Sequence, residues 1–407
     1  MDKITEKIRE MYELFPYPAG GVTLRIGADA RLLLSYGKRT RQSKGPLQVL
    51  DAGCGRGVGL LGCAVLQPDV QFLGIDINRV ALREAADQAA ARGLKNVRFM
   101  ECDLMTLEGL TVPEGGFDVI YSSGVLHHLS DPAQGLRKLK TVCAPHGLIS
   151  FMVYASYGRQ PLYRMINGAR ILLGDSDPVA DRLQPARALV ESARDTILKN
   201  TPWDNTPDVS DVEFVDRCLN PNETSYDIDS MWTLFDECGM RFIRWLEPDK
   251  WSVEKALGQG ELLARARALS ERDQYRLIEQ ICWRPSFQMV ISHAENSPRP
   301  GYDTKEVRST LFAVNPEVSY SLETRSIRGA QRIESLSYRF GRDENVRLKK
   351  GPMTTALMIL KDQNMPFIGE SLIKVLAEEG VSAQYATQAI AELVELNLIY
   401  RPHPSEA

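Results

Sequence analysis

Val-Leu-Asp-Ala-Gly-Cys-Gly-Arg-Gly-Val-Gly, residues 49–59, is a short apolar strand that meets an acid and then alternate glycines. Residues 48–50 suit a buried strand. Gly53, Gly55 and Gly57 let the backbone turn sharply and approach a ligand closely, since a residue without Cβ tolerates left-handed dihedrals. A glycine-rich strand-to-helix turn serves several kinds of nucleotide site, so its meaning depends on the strands that come after it. Three stretches come next in order: Phe72-Leu-Gly-Ile-Asp76, Phe99-Met-Glu-Cys-Asp103, and Phe117-Asp-Val-Ile-Tyr-Ser-Ser-Gly-Val-Leu-His-His-Leu-Ser-Asp-Pro132. The first two read as apolar strands ending in an acid. The third is a strand that opens into a loop with paired histidines.

Asp76 is suited to accepting hydrogen bonds from ribose hydroxyls, and Asp103 to an adenine amino group. Together the four stretches resemble the class I S-adenosylmethionine-dependent methyltransferases over residues 45–155. The resemblance implies S-adenosyl-L-methionine as cofactor. It maps the family's cofactor loop onto Asp51, Gly53, Cys54 and Gly55, its ribose acid onto Asp76 and its adenine acid onto Asp103. Ile77, Leu104, Ser122 and Ser123 complete the set expected around the cofactor. The Gly-Val-Leu-His-His-Leu run, residues 124–129, maps beside the sulfonium. A nicotinamide-binding Rossmann protein is the nearest rival. It normally lacks an Asp two residues before the first loop glycine and has no use for the His-His loop.

The composition agrees with an enzyme of more than one part. At 407 residues the chain exceeds what one core usually fills. Hydrophobic content of 43% and charged content of 25% are ordinary for a globular protein, and the net charge of −4 is spread along the chain. That balance argues against a general nucleic-acid footprint. The seven cysteines are scattered, without a Cys-x-x-Cys pair, which points to a reducing compartment. The first residues lack the apolar core of a signal peptide, and no apolar run reaches the length of a membrane span. The expectation is a cytoplasmic protein with no DNA or membrane partner.

Outward from the glycine loop, the expected fold class is α/β: a Rossmann-like class I sheet with helical insertions and a small C-terminal α+β module. Residues 1–45 read as a helical lid, with Ile4, Ile8, Met11, Tyr12 and Phe15 on one face until the prolines of Phe15-Pro-Tyr-Pro18 stop the helix. Residues 46–296 read as the methyltransferase domain. Its strands are expected near 47–51, 71–76, 97–101, 117–121 and 147–154, followed by Arg241–Leu246 and an antiparallel Ser286–His293. Residues 155–227 and 247–285 are then insertions, the first placed to shape a substrate pocket. After the Asn296–Gly301 linker, residues 302–407 form an accessory module, with strands at Thr310–Val314, Val318–Leu322 and Ser335–Phe340. Three helices come last, at 354–363, 368–379 and 384–397, and the ending resembles a winged helix. Its surplus of acids over bases suits protein contact or a homodimer better than DNA.

Methyl transfer depends mainly on positioning, and a base is needed only when the nucleophile arrives protonated. His127 and His128 are the candidate bases, since neutral imidazole accepts a proton near pH 7. Tyr154, Tyr157 and Arg159, at the end of the fifth strand, are candidates for holding a polar or anionic substrate. His146, His293 and His403 look structural or incidental, and no metal site is expected. Ser122-Ser-Gly124 stands where amide and adenine methylases carry Asn/Asp-Pro-Pro-Tyr, which disfavours those targets. The expected function is transfer of a methyl group to N, O or S of a small molecule or protein side chain. The alternatives are a non-catalytic protein built on the cofactor fold, or an RNA methyltransferase using a basic groove around Arg159, Arg164 and Arg170.

Overall fold

A computed structural model describes residues 2–402 except 19, 26, 40, 42–43, 175–176, 299–303, 328–329, 341–345, 349–350 and 362–364. His403 lies outside the described residues. Asp2 caps the first helix, α1 (Lys3–Leu14), by accepting the amides of Ile4 and Thr5 at 2.9 Å. These are donors that a helix N-terminus otherwise leaves open. Thr5, Ile8 and Met11 form its buried face. Asp29 caps α2 (Ala30–Ser35) in the same way.

Strands and helices then alternate: β1 (Gln48–Ala52), α3 (Val58–Leu66), β2 (Gln71–Asp76), α4 (Arg79–Ala91), β3 (Val97–Glu101), β4 (Phe117–Ser123), α5 (Pro132–Val142) and β5 (Cys143–Tyr154). Three helices of the first insertion come next, α6 (Gln160–Leu173), α7 (Val179–Ser192) and α8 (Asp211–Cys218). The chain returns to the sheet through α9 (Ile228–Cys238) and β6 (Met240–Trp245). A second insertion, α10 (Val253–Leu257), α11 (Glu261–Arg267) and α12 (Glu271–Ile281), leads into β7 (Ser286–His293). The strand order is β3-β2-β1-β4-β5-β7-β6. β1 to β5 pair in parallel, and β7 runs antiparallel to both β5 and β6. β5 starts four residues earlier than expected, because Cys143 already pairs with Phe117 before a register shift.

Both faces of the sheet are covered, as parallel strands require. Successive residues of a strand point to opposite faces, so Leu50, Ile120 and Ile149 pack with Leu136, Met231 and Phe235. Val49, Val119 and Leu148 pack with Leu33, Leu60 and Leu61 on the other side. At α3, Gly62 admits the N-terminal segment: a Cβ there would lie 2.2 Å from the Thr23 carbonyl oxygen. We expect Gly62→Ala to push residues 22–25 off α3 and to cost about 1–3 kcal/mol, the usual penalty for overpacking. A melting curve beside cofactor titration checks this, and an unchanged melting temperature would count against it.

The C-terminal module contains α13 (Thr304–Val307), β8 (Leu311–Val314), β9 (Val318–Ile327), β10 (Ala330–Phe340), β11 (Val346–Leu348), α14 (Pro352–Leu360), β12 (Phe367–Ile368), α15 (Gly369–Glu378), α16 (Ala383–Glu395) and β13 (Ile399–Tyr400). Its helices close around a core that includes Phe312, Leu357, Leu372, Leu376, Ile390 and Ile399. A small sheet has the order β12-β8-β13, and β9 and β10 form a longer hairpin than the sequence suggests. Polar residues alternate along both hairpin strands, which masks the apolar period that marks a strand.

Candidate active site

The loops at the carboxyl ends of β1 to β5, closed over by α1 with Tyr17, Pro18, Thr23 and Arg25, line a cavity of about 350 Å³. Gly53 has φ +81°, and a Cβ there would fall 2.4 Å from Val125 Cγ2. Its amide and that of Cys54 donate to the Ile75 carbonyl at 2.8 and 2.9 Å, tying the β1 loop to β2. Asp76 completes the tie: Oδ2 accepts the Gly55 amide at 2.7 Å and Oδ1 the Asn78 amide at 2.8 Å. Burial pushes the Asp76 carboxyl above the usual carboxylate range, and these amides oppose it. Asp51, Gly53, Cys54 and Gly55 line the cavity with Asp76 and Ile77, and Asp103 and Leu104 join them from the β3 loop. Ser123 also faces in. Ser122 is fully buried, and its hydroxyl has no hydrogen-bond partner.

Asp51 is 1% exposed and carries an ion pair that sequence reasoning missed. Arg25 Nη1 lies 3.2 Å from Oδ1 and Nη2 2.5 Å from Oδ2. The guanidinium also sits 4.6 Å from the centre of the Tyr121 ring. It rests on Gly59, where a Cβ would lie 2.7 Å from Nη2. Arg25 Nε is buried against Gly59 without a hydrogen-bond partner, while the guanidinium keeps partial exposure as a cationic donor in the cavity wall. That donor, with the acids of β2 and β3, fits a nucleoside bearing an amino-acid chain.

The β5 side of the cavity, away from β2 and β3 in the strand order, is lined by Tyr12, Tyr17, His128, Tyr154 and Asp216. Asp216, on α8, is 4% exposed. Tyr12 donates to its Oδ1 at 2.7 Å, and the Tyr154 hydroxyl lies 3.5 Å from Oδ2. Asn220 Nδ2 donates to the Tyr12 hydroxyl at 3.2 Å. Burial pushes the Asp216 carboxyl up to about 6, with the Tyr12 hydrogen bond opposing it. A carboxylate poised between charged and neutral at the end of a cavity marks a functional candidate.

The paired histidines separate. His128 faces the cavity, and its Nδ1 lies 2.9 Å from the Asn222 carbonyl, which fixes Nδ1 as the protonated nitrogen. His127 is fully buried outside the lining, its ring 3.9 Å from that of Tyr154, and both its nitrogens lack partners. Burial depresses both imidazoles, so they are neutral at ordinary pH. Arg159 also lies outside the lining. It is 3% exposed, packs 3.5 Å from the centre of the Tyr154 ring and pairs with Glu223 at 3.4 Å. Arg159 therefore braces Tyr154 rather than facing a ligand. Tyr157 is 44% exposed and outside the cavity. Arg164 and Arg170 are exposed on α6 while Arg159 is buried in its ion pair, so the three do not share a basic groove.

Comparison with known proteins agrees with this geometry. Residues 43–166 match a family described as a methyltransferase domain. An uncharacterized protein of Synechococcus sp. is 28% identical over 347 residues, 80% of each chain. A ubiquinone biosynthesis O-methyltransferase of Albidiferax ferrireducens is 34% identical over 105 residues, 26% of this chain and 40% of that protein. Among solved structures, PKMT2 from Rickettsia typhi in complex with AdoHcy superposes with a TM-score of 0.67 at 15% identity, covering 95% of this chain and 78% of that one. Residues 43–166 are thus a methyltransferase domain, on a Rossmann-like sheet similar to that of the Rickettsia typhi protein. S-adenosylmethionine is its cofactor, and methyl transfer is its activity. Among the described residues, no helix is long and apolar enough to cross a membrane.

Proposed function

We propose that the protein methylates a primary amine carried on a slender chain, with Asp216 as the proton acceptor. In this reading Asp103 and Leu104 hold the adenine, Asp76 the ribose and Arg25 the methionine carboxylate. The cofactor supplies a methyl group already activated by its sulfonium. Tyr12, Tyr17, Tyr154, His128 and Asp216 then surround the acceptor nitrogen. An amine reaches the site as an ammonium and must lose a proton before its lone pair can attack carbon. As the N–C bond forms, the C–S bond breaks onto sulfur and the ammonium proton resides on the Asp216 carboxylate. The aromatic rings favour a cation by their negative faces. A cavity of about 350 Å³ leaves room for little beyond an alkyl chain once a nucleoside and its amino-acid chain are bound.

The observation that carries this reading is the buried carboxylate of Asp216, held between two tyrosine hydroxyls at the end of the cavity away from Asp103. A hydroxyl or thiol acceptor offers no cation to such a carboxylate. The test is label transfer from methyl-labelled S-adenosylmethionine to lysine-containing peptides, alkylamines, phenols and thiols in parallel. Label is expected on amines alone, with peptide and alkylamine arms telling a protein side chain from a free amine. Transfer confined to oxygen or sulfur would overturn the amine.

A further inference from the structure

Glu317 belongs to the C-terminal module, in the turn between β8 and β9, yet its carboxylate is 5% exposed and serves the catalytic domain. Oε2 accepts the Gly27 amide at 2.9 Å and Oε1 the Asp29 amide at 2.6 Å. Both amides are buried, and a buried donor without a partner costs its full desolvation. Two residues before Gly27, Arg25 holds Asp51 in the cavity wall. Gly27 has φ +70°, with Leu246 Cδ2 2.9 Å from where a Cβ would stand, so the segment passes through a tight turn.

The turn that carries Glu317 is fixed in its own module. Asn315 Oδ1 accepts the Glu317 amide at 2.9 Å, and Asn315 Nδ2 donates to the Asn397 carbonyl at 2.7 Å. The Asn315 amide donates to the Leu398 carbonyl at 3.0 Å. A continuous run of hydrogen bonds and one ion pair therefore leads from the chain after α16, through Asn315 and Glu317, to residues 25–29 and Asp51.

We propose that Glu317 is a positioning residue for the cofactor site: from the C-terminal module it fixes the segment that aims Arg25 into the cavity. The proposal rests on the reading that places the cofactor's methionine end at Arg25. It also ties the accessory module to the catalytic domain, because residues after the linker then contribute to cofactor binding. The module acts as a brace whose carboxylate completes the N-terminal segment.

The experiment compares full-length wild type with Glu317→Ala, Glu317→Gln and Arg244→Gln. Arg244 Nη2 donates to the Glu395 carbonyl at 2.8 Å, so the last variant weakens a contact with the module that involves neither the Gly27 nor the Asp29 amide. Two readouts are taken: AdoHcy affinity by calorimetry, and hydrogen exchange of residues 22–30 without ligand. Glu317→Ala is expected to weaken AdoHcy on the order of tenfold or more and to speed exchange of that segment, as two orphaned buried amides imply. Glu317→Gln retains one acceptor and recovers part of the affinity, and Arg244→Gln stays within about twofold of wild type. Equal weakening by Arg244→Gln, or unchanged exchange in Glu317→Ala, overturns the proposal. If wild type fails to bind AdoHcy, the cofactor placement fails, and the exchange readout alone decides whether Glu317 fixes the segment.

Discussion

Asp216→Asn is expected to lower kcat/KM by about 10²–10⁴-fold, the range for losing a positioned proton acceptor. AdoHcy affinity should stay within about threefold, because Asp216 lies at the far end of the cavity from Asp103 and Asp76. The substitution keeps an oxygen that can accept the Tyr12 hydrogen bond, so the wall at α8 retains its shape. Wild-type kcat/KM should rise with pH through an apparent value near 6, where burial has pushed the Asp216 carboxyl. Below that value the carboxyl is already protonated and cannot receive the ammonium proton. The acid limb should vanish in Asp216→Asn. Stability moves in the opposite sense. A raised carboxyl makes the folded state bind more protons than the unfolded one between about 4 and 6, so stability falls across that window as pH rises. The Asn variant, without a charge to bury, should melt no lower than wild type at neutral pH. Full turnover in this variant would remove Asp216 from the chemistry.

The second large effect is on the cofactor. Asp76→Ala removes the acceptor proposed for the ribose and also the partner of the Gly55 amide. The expected loss of AdoHcy binding is about 1.5–3 kcal/mol for a hydrogen bond to a charged group, roughly 10–150-fold in Kd. Calorimetry on the folded variant measures it directly. Affinity equal to wild type would place the ribose elsewhere, and tighter binding of a nicotinamide dinucleotide in wild type would point to a different class of enzyme.

The part of the cavity lined by Asp51, Asp76 and Asp103 was legible because its determinants are local. Strand, acid and glycine succeed one another within a few residues around Asp51, Asp76 and Asp103, and each acid ends a strand whose apolar pattern marks its end. The part around Asp216 was not, because its residues meet across great chain separations: Tyr12 and Asp216 lie 204 residues apart. Nothing in the run around Asp216 distinguishes it from an exposed helical acid until α1 and α6 bury it. Adjacent residues also diverge. His127 and His128 share a short 3-10 turn, and neighbouring side chains of such a turn cannot face the same way, so one enters the cavity and the other the core. Arg159 read as a ligand-facing fork, but the chain turns after β5 and folds it back onto Tyr154. Arg25 and Glu317 each act through a partner supplied by another part of the chain, which no local spacing announces.

The contact between Tyr12 and Asp216 has a meaning for biosynthesis. α1 leaves the ribosome before the surface that receives Met11, formed by α6 to α8, which is complete only about two hundred residues later. At ordinary elongation speeds that is a wait of roughly 10–40 s. Throughout it the apolar stripe of Ile8 and Met11 lacks the surface that later buries Met11. α1 is thus made well before the helices that seat it and finds its place only after them.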